Sequence, residues 1–464
     1  MLPRGWEEVQ LGELSFKIGS GATPRGGREA YGKVGTPLIR SMNVHFEGFT
    51  YDGLAYIDDK QAQALANVEV RPNDVLLNIT GASIGRVCLA PRNMSGARVN
   101  QHVCIIRSVE VLPEFIRAFL AAPEMQRFIL EENYGLTRQA LTKGMIEAIR
   151  VPLPPESEQR RIVAKLDALT TRLARARAEL DRVPMLAARS RSAAVRAAFH
   201  GDLTADWRAN RATEGLSPLP SHDLPKGWAW TTLGALAKIK SGIALGKRRP
   251  SHAELIEVPY LRVANVQRGS LNLGMIKHIT VTNDEAAALY LKPGDILLNE
   301  GGDRDKLGRG WIWEGEIPNC IHQNHVFRAR LFDQRNNPYF VSLYANEFGQ
   351  DYFLSHGTQT TNLASISKAK LSALPVPLAP PEEQAEIVRR IQSVFARADR
   401  LEAEAARAQA LLERLESTFL ARAFRGELVP QDPNDEPVSV LLERIRAQRA
   451  TAPKPKRGRA RGSA

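Results

Sequence analysis

"LPPESEQRRIV" (153–163) and "LAPPEEQAEIV" (378–388) are one phrase written twice, 225 positions apart. In each, a pair of prolines closes an extended run, because proline offers no N–H to continue a strand ladder and sits well at a helix start. The acids that follow, Glu156 and Glu158, then Glu382 and Glu383, fall near the positive end of a helix dipole. Each copy therefore reads as a hinge from a globular part into a helix.

The echo runs in register through Phe199/Phe424, Gly201/Gly426 and Leu203/Leu428. It also extends upstream with small loop shifts. "GWEEVQLGEL" (5–14) answers "GWAWTTLGAL" (227–236), "PLIRSMNV" (37–44) answers "PYLRVANV" (259–266), and "RPNDVLLN" (71–78) answers "KPGDILLN" (292–299). Self-similarity at this scale marks a tandem duplication.

Each copy has two grammars. Residues 1–152 and 227–377 are Gly-rich with short β-prone runs and interspersed helices, and so read as α+β heads. Residues 153–203 and 378–428 carry one long helical pattern each, 204–226 is a Pro/Ser/Gly linker, and 429–464 is an extension ending in a basic tail. That tail could touch nucleic acid, but it lacks an apolar anchor and suits solubility better. Steps of four and three trace an apolar seam through Ile387, Ile391, Val394, Leu401, Leu412 and Leu415 in the second arm. In the first arm the seam runs through Ile162, Leu166, Leu169, Leu173 and Leu180, then weakens, and Pro184 is expected to kink or restart that helix. A stripe this narrow needs a second helix to cover it. The basic first arm and the nearly neutral second favour pairing with each other, over a helix length of roughly 64 Å.

The chain has 464 residues, a net charge of +12 and pI near 9.7, which suits a polyanionic partner. No apolar run approaches the roughly 18 residues of a membrane span, and the N-terminus has no apolar leader core, so the cytoplasm is expected. Cys88, Cys104 and Cys320 lack metal-ligand spacing and read as buried thiols.

Duplicated Gly-Trp starts, "PPxxEQxxIV" joints and helices closing on "AF.G.L" resemble the specificity subunit of type I restriction-modification systems. The resemblance spans nearly the whole chain. It implies an α+β protein with two target-recognition domains separated by an antiparallel coiled coil and related by a pseudo-twofold axis, each domain reading one half of a bipartite duplex DNA target. It also implies arms that dock two methyltransferase subunits and, through them, restriction/translocase subunits. S-adenosylmethionine, ATP and magnesium would then belong to those partners, with no cofactor bound by this chain.

Base readout needs Arg, Lys, Asn, Gln or similar side chains on projecting loops, while Gly and Ser amides approach phosphates. In the first head the candidates are Ser20, Gly21, Thr23, Arg25, Ser83, Arg86, Gln101, His102, Thr137, Arg138 and Lys143. In the second they are Ser241, Lys247, Arg248, Arg304, Lys306, Arg309, Gln323, Asn324, Gln359, Thr361, Asn362 and Lys368. Arg40/Arg262 and Asn43/Asn265, common to both heads, read as scaffold. Features that differ between heads should set sequence. Two rival classes are an enzyme acting on DNA by itself and a coiled-coil scaffold. "SGIALGKRR" departs from a phosphate loop at Ser241 and Arg248, and Arg304 interrupts a nuclease-like carboxylate pattern before Lys306, so an enzyme acting alone is disfavoured. A coiled-coil scaffold with peptide-binding heads would show no duplex binding.

Overall fold

The computed structural model describes residues 2–23, 31–131, 140–210, 224–246, 249, 253–302, 307–359 and 364–451. It divides into two compact units: Met1–Leu180 with Ala406–Ala464, and Asp181–Ala405. Each unit holds one head, the start of that head's own arm and the far part of the other arm.

The heads repeat one topology. In the first, strands Ser15–Ser20, Val103–Ser108, Val75–Asn78 and Val87–Leu89 form a four-stranded antiparallel sheet in that order. Thr36–Ile39 lies between Ala55–Ile57 and Arg98–Val99 in a second sheet, pairing parallel with the latter. The second head repeats this with Ala237–Ser241, Val326–Leu331, Asp295–Asn299 and Gly310–Trp313, and with Leu255–Leu261 between Lys277–Thr282 and Ile321–His322. The fully buried runs Val75–Asn78 and Asp295–Asn299 are central strands covered on both faces.

The repeated phrases are repeated bonds. Asp74, nearly fully buried, takes both Nε and Nη2 of Arg107 at 2.7 Å and the Arg71 amide at 2.7 Å. Asp295 does the same with Arg330 and the Lys292 amide. A bidentate carboxylate pair of this kind satisfies its own buried charges. At the joints, Trp6 Nε1 donates to Glu158 at 3.0 Å and Trp228 Nε1 to Glu383 at 2.9 Å. Gln159 donates to the Pro154 carbonyl and accepts the Leu112 amide, and Gln384 donates to the Ala379 carbonyl and accepts the Asn337 amide. Glu and Gln of the repeated phrase thus bolt the arm to the Gly-Trp strand and to a head helix.

In the first unit, helix Glu156–Leu180 pairs with the end of helix Pro381–Phe424. Ile162 and Leu166 share a core with Phe419 and Ala423, and Arg177 donates to Glu416 at 2.6 Å, so the two run antiparallel. In the second unit, helix Val183–Phe199 pairs with the start of Pro381–Phe424. Phe199 and Val195 share a core with Ile387, Val388 and Ile391, and Arg191 bonds Glu402 and Asp399. The first arm breaks after Leu180 and restarts at Val183 with Pro184 in the new first turn. The closing "AF" of each arm packs on a head helix: Phe424 lies 5.3 Å from Phe115 and Phe119, and Phe199 lies 4.8 Å from Phe340.

The seam departs from its sequence reading in two places. Ile162, Leu166, Leu173, Ile387 and Ile391 are buried, and Leu169, Leu180, Val394 and Leu412 are half-buried. Leu401 and Leu415, read as seam residues, are 57% and 43% exposed. The half-buried positions are their neighbours Glu402 and Glu416, drawn inward by Arg191 and Arg177. Likewise, Ser190 is exposed and Arg191 half-buried. The extension ends in helix Val438–Thr451, whose Val438, Leu441, Leu442 and Ile445 join the first head's core. Arg161 fastens it by a bidentate bond to Asp435.

Candidate nucleic-acid interface

In the first head the chain returns of the central sheet bring three candidate loops together. Gly21 packs so closely that a Cβ there would lie 1.7 Å from the Val99 carbonyl oxygen, and its amide donates to Asn100. Gly242 stands in the same way against His322, at 1.9 Å. The glycine of each "SG" loop is therefore demanded by backbone contact. Thr23 Oγ1 donates to Gln101, whose amide lies 3.1 Å from His102 Nε2, and His102 Nδ1 meets the Thr80 hydroxyl. The Ile79 amide donates to the His102 carbonyl, and Leu141 donates back to the Ile79 carbonyl. Thr23, Thr80, Gln101 and His102 thus form one polar chain at the loop end of the sheet.

The second head assembles the corresponding loops with different side chains. Ile243 donates to the His322 carbonyl and accepts the Asn324 amide, while Gln323 donates through its own amide to Leu261. Glu300 accepts His325 at 3.1 Å, and its carbonyl takes the Ile366 amide, the counterpart of the Leu141 bond. Burial pushes the His322 imidazole down to about 4, so this ring is neutral and structural, with Nδ1 donating to Val326 O.

Arg86 and Arg309 occupy equivalent hairpin positions after Gly85 and Gly308. The Asn78 amide donates to Arg86 O and the Asn299 amide to Arg309 O, both at 2.8 Å. Lys143 and Lys368 are exposed at the starts of equivalent short helices, capped by Thr142 and Ser367. Lys143 lies 3.4 Å from Glu147. Ser20 and Ser83 are half-buried and Ser241 is exposed. Arg25, Thr137, Arg138, Lys247, Arg248, Arg304, Lys306, Thr361 and Asn362 lie outside the described residues, as does the side chain of Gln359 on strand Thr358–Gln359.

Asn43 and Asn265 are scaffold. Each is buried, accepts the amide of Arg40 or Arg262, and donates to two carbonyls that close the following loop. Thr80 opens the candidate loop 80–86, whereas sequence reasoning passed over His45 and Gln267 as readers. His45 and Gln267 stand two places after the paired asparagines, where the heads differ, and that difference was the available signal. Cys88, Cys104 and Cys320 are buried free thiols, each pushed up to about 12 by burial. Among the described residues no His/Cys/Asp/Glu group could hold a metal ion, and no helix is long and apolar enough to cross a membrane.

The sequence model of the type I restriction modification DNA specificity domain matches this chain twice, over residues 3–182 and 225–410. The chain belongs to this family. Its two matches coincide with the duplication seen in topology and bonding. Curated specificity-subunit relatives include those of the type I restriction enzymes EcoKI of Escherichia coli K12 and StySPI of Salmonella potsdam. They are 24% and 27% identical over 437 and 439 residues, covering 90% of this chain and 89% of each relative. The HsdS subunit from Thermoanaerobacter tengcongensis shares the fold at TM-score 0.59 and 21% identity, over 92% of this chain and 98% of that one. A chain from a structure of type I R-M complex assembly and conformational transition matches at TM-score 0.63 and 21% identity, over 92% of this chain and 100% of that one. As a specificity subunit the chain supplies DNA target recognition to a complex and is not itself catalytic.

Proposed function

We propose that each head reads one half of a bipartite duplex target and that the paired arms fix the distance between the halves. The observation that carries this reading is the repetition of one loop scaffold, the close approach of Gly21 and Gly242 and the backbone hairpin bonds of Asn78 and Asn299, with different side chains set into it. A shared scaffold with distinct fittings suits two distinct half-sites. The readers are drawn from the loop residues named above, with Arg86, Gln101 and His102 in the first head and Arg309, Gln323 and Asn324 in the second as the described core of the set. Lys143 and Lys368 serve as phosphate contacts. In this reading the arms dock two methyltransferase subunits and, through them, restriction/translocase subunits, which hold S-adenosylmethionine, ATP and magnesium. The complex works in the cytoplasm.

Co-expression with the methyltransferase subunit and sequencing of methylated host DNA tests the reading. A single two-part motif with a fixed gap is expected, and duplex affinity should fall steeply with salt because phosphate contacts release counterions. Methylation of an uninterrupted motif, or salt-insensitive binding, would count against it.

A further inference from the structure

The first head carries a half-buried arginine whose guanidinium is held by a side chain outside its own hairpin. Arg86 Nη1 lies 3.4 Å from His45 Nδ1. His45 Nε2 lies 2.9 Å from the Met42 carbonyl oxygen. A carbonyl can only accept, so Nε2 carries the proton and Nδ1 presents its lone pair to Arg86. The second head solves the same problem with an amide. Gln267 Nε2 donates to the Ala264 carbonyl at 2.8 Å, and Gln267 Oε1 accepts Arg309 Nη1 at 3.2 Å.

The frame around the two pairs is shared. Positions 45 and 267 each donate to the carbonyl three residues earlier and each accept from the arginine. Buried Asn78 and Asn299 tie the arginine hairpin to the same segment, through Ser41 O at 2.9 Å and Val263 O at 3.4 Å. These asparagine bonds hold the backbone without help from His45 or Gln267. The arginine pairs, at 3.4 and 3.2 Å, are half-exposed, so orienting the guanidinium is what they add. Arginine has five donors in a planar fork and is the commonest reader of guanine N7 and O6.

We propose that His45 and Gln267 are positioning residues that aim Arg86 and Arg309 at one guanine-bearing base pair in each half-site. This rests on the reading of the heads as bipartite DNA readers. A histidine and a glutamine, alike in offering one donor and one acceptor at this reach, are interchangeable in the role.

The test uses the full chain co-assembled with its methyltransferase subunit and a library of randomised duplexes, read by sequencing the methylated products. H45A and R86A should each relax the same base pair of one half-site by roughly tenfold and leave the other half-site intact. H45Q should recover the discrimination lost in H45A, which a purely structural role would not predict. Q267A and R309A should relax one base pair of the opposite half-site, with Q267H recovering it. The inference is overturned if H45A leaves every position unchanged, weakens all positions equally, or is matched in loss by H45Q. If the unsubstituted complex shows no two-part motif, the bipartite reading itself fails.

Discussion

Glu158 and Glu383 stand at the same place in the two joints, yet their surroundings differ. Glu383 takes Trp228 on one oxygen and Thr204 and Arg208 on the other, whereas among the described residues Glu158 bonds Trp6 alone, on Oε2, and its Oε1 is buried without a partner. Burial therefore raises the Glu158 carboxyl above its ordinary range, with the Trp6 bond and nearby Arg161 opposing the shift. A carboxyl whose folded-state pKa is raised binds its proton more tightly when folded. Its contribution is favourable at low pH and is lost as pH rises through the folded value. E158Q keeps an acceptor for Trp6 and should hold or raise the melting temperature at neutral pH, while removing the pH dependence that Glu158 contributes just above the ordinary carboxyl range. E383Q breaks a buried ion pair and should cost about 1–3 kcal/mol. A fall in stability with E158Q as large as with E383Q would contradict this. Similarly, D74A or D295A should cost roughly 3–5 kcal/mol by stranding a half-buried arginine, read by denaturant titration.

The repeated phrases made the duplication legible from sequence, but not what each letter does. "RPND" and "KPGD" announce a conserved turn between copies, while the arginine each aspartate binds lies more than thirty residues on, beyond any local pattern. His45 and Gln267 escaped because a single histidine opposite a glutamine carries no periodicity; only the fold reveals that both face an arginine.

At the scale of the arms, apolar counting found the right helices and chose a partly wrong face. Positions 391, 398, 405, 412 and 419 belong to two heptad frames that differ at 401 against 402 and at 415 against 416. Counting favours leucine; the fold takes glutamate, because Arg177 and Arg191, one on each helix of the first arm, reach Glu416 and Glu402. Such pairs fix register where a uniform apolar stripe would let the helices slide. L401A and L415A should therefore change the stability of the chain by no more than about 0.5 kcal/mol. L173A, which empties a buried seam site, should cost about 2–5 kcal/mol. Equal losses by thermal melting for all three would restore the leucine frame. Pro184 was legible outright: it opens the second segment of the first arm, where its missing N–H leaves no helical bond unmade.

For the whole molecule, two copies of one unit exchange their arm ends, so that each compact unit contains sequence from both. On the proposal that the arms fix the gap, arm length measures half-site separation. Deleting one heptad from each arm, at positions paired as Arg177 is with Glu416, should shorten the preferred gap and leave both half-site sequences unchanged. The most direct measurement is the methylated motif of the complex before and after residues 1–152 are replaced by a head of different specificity. Replacement is expected to rewrite one half of a two-part motif and leave the second half and the gap untouched. A motif that changes in both halves, or in neither, would contradict the assignment of one half-site to each head.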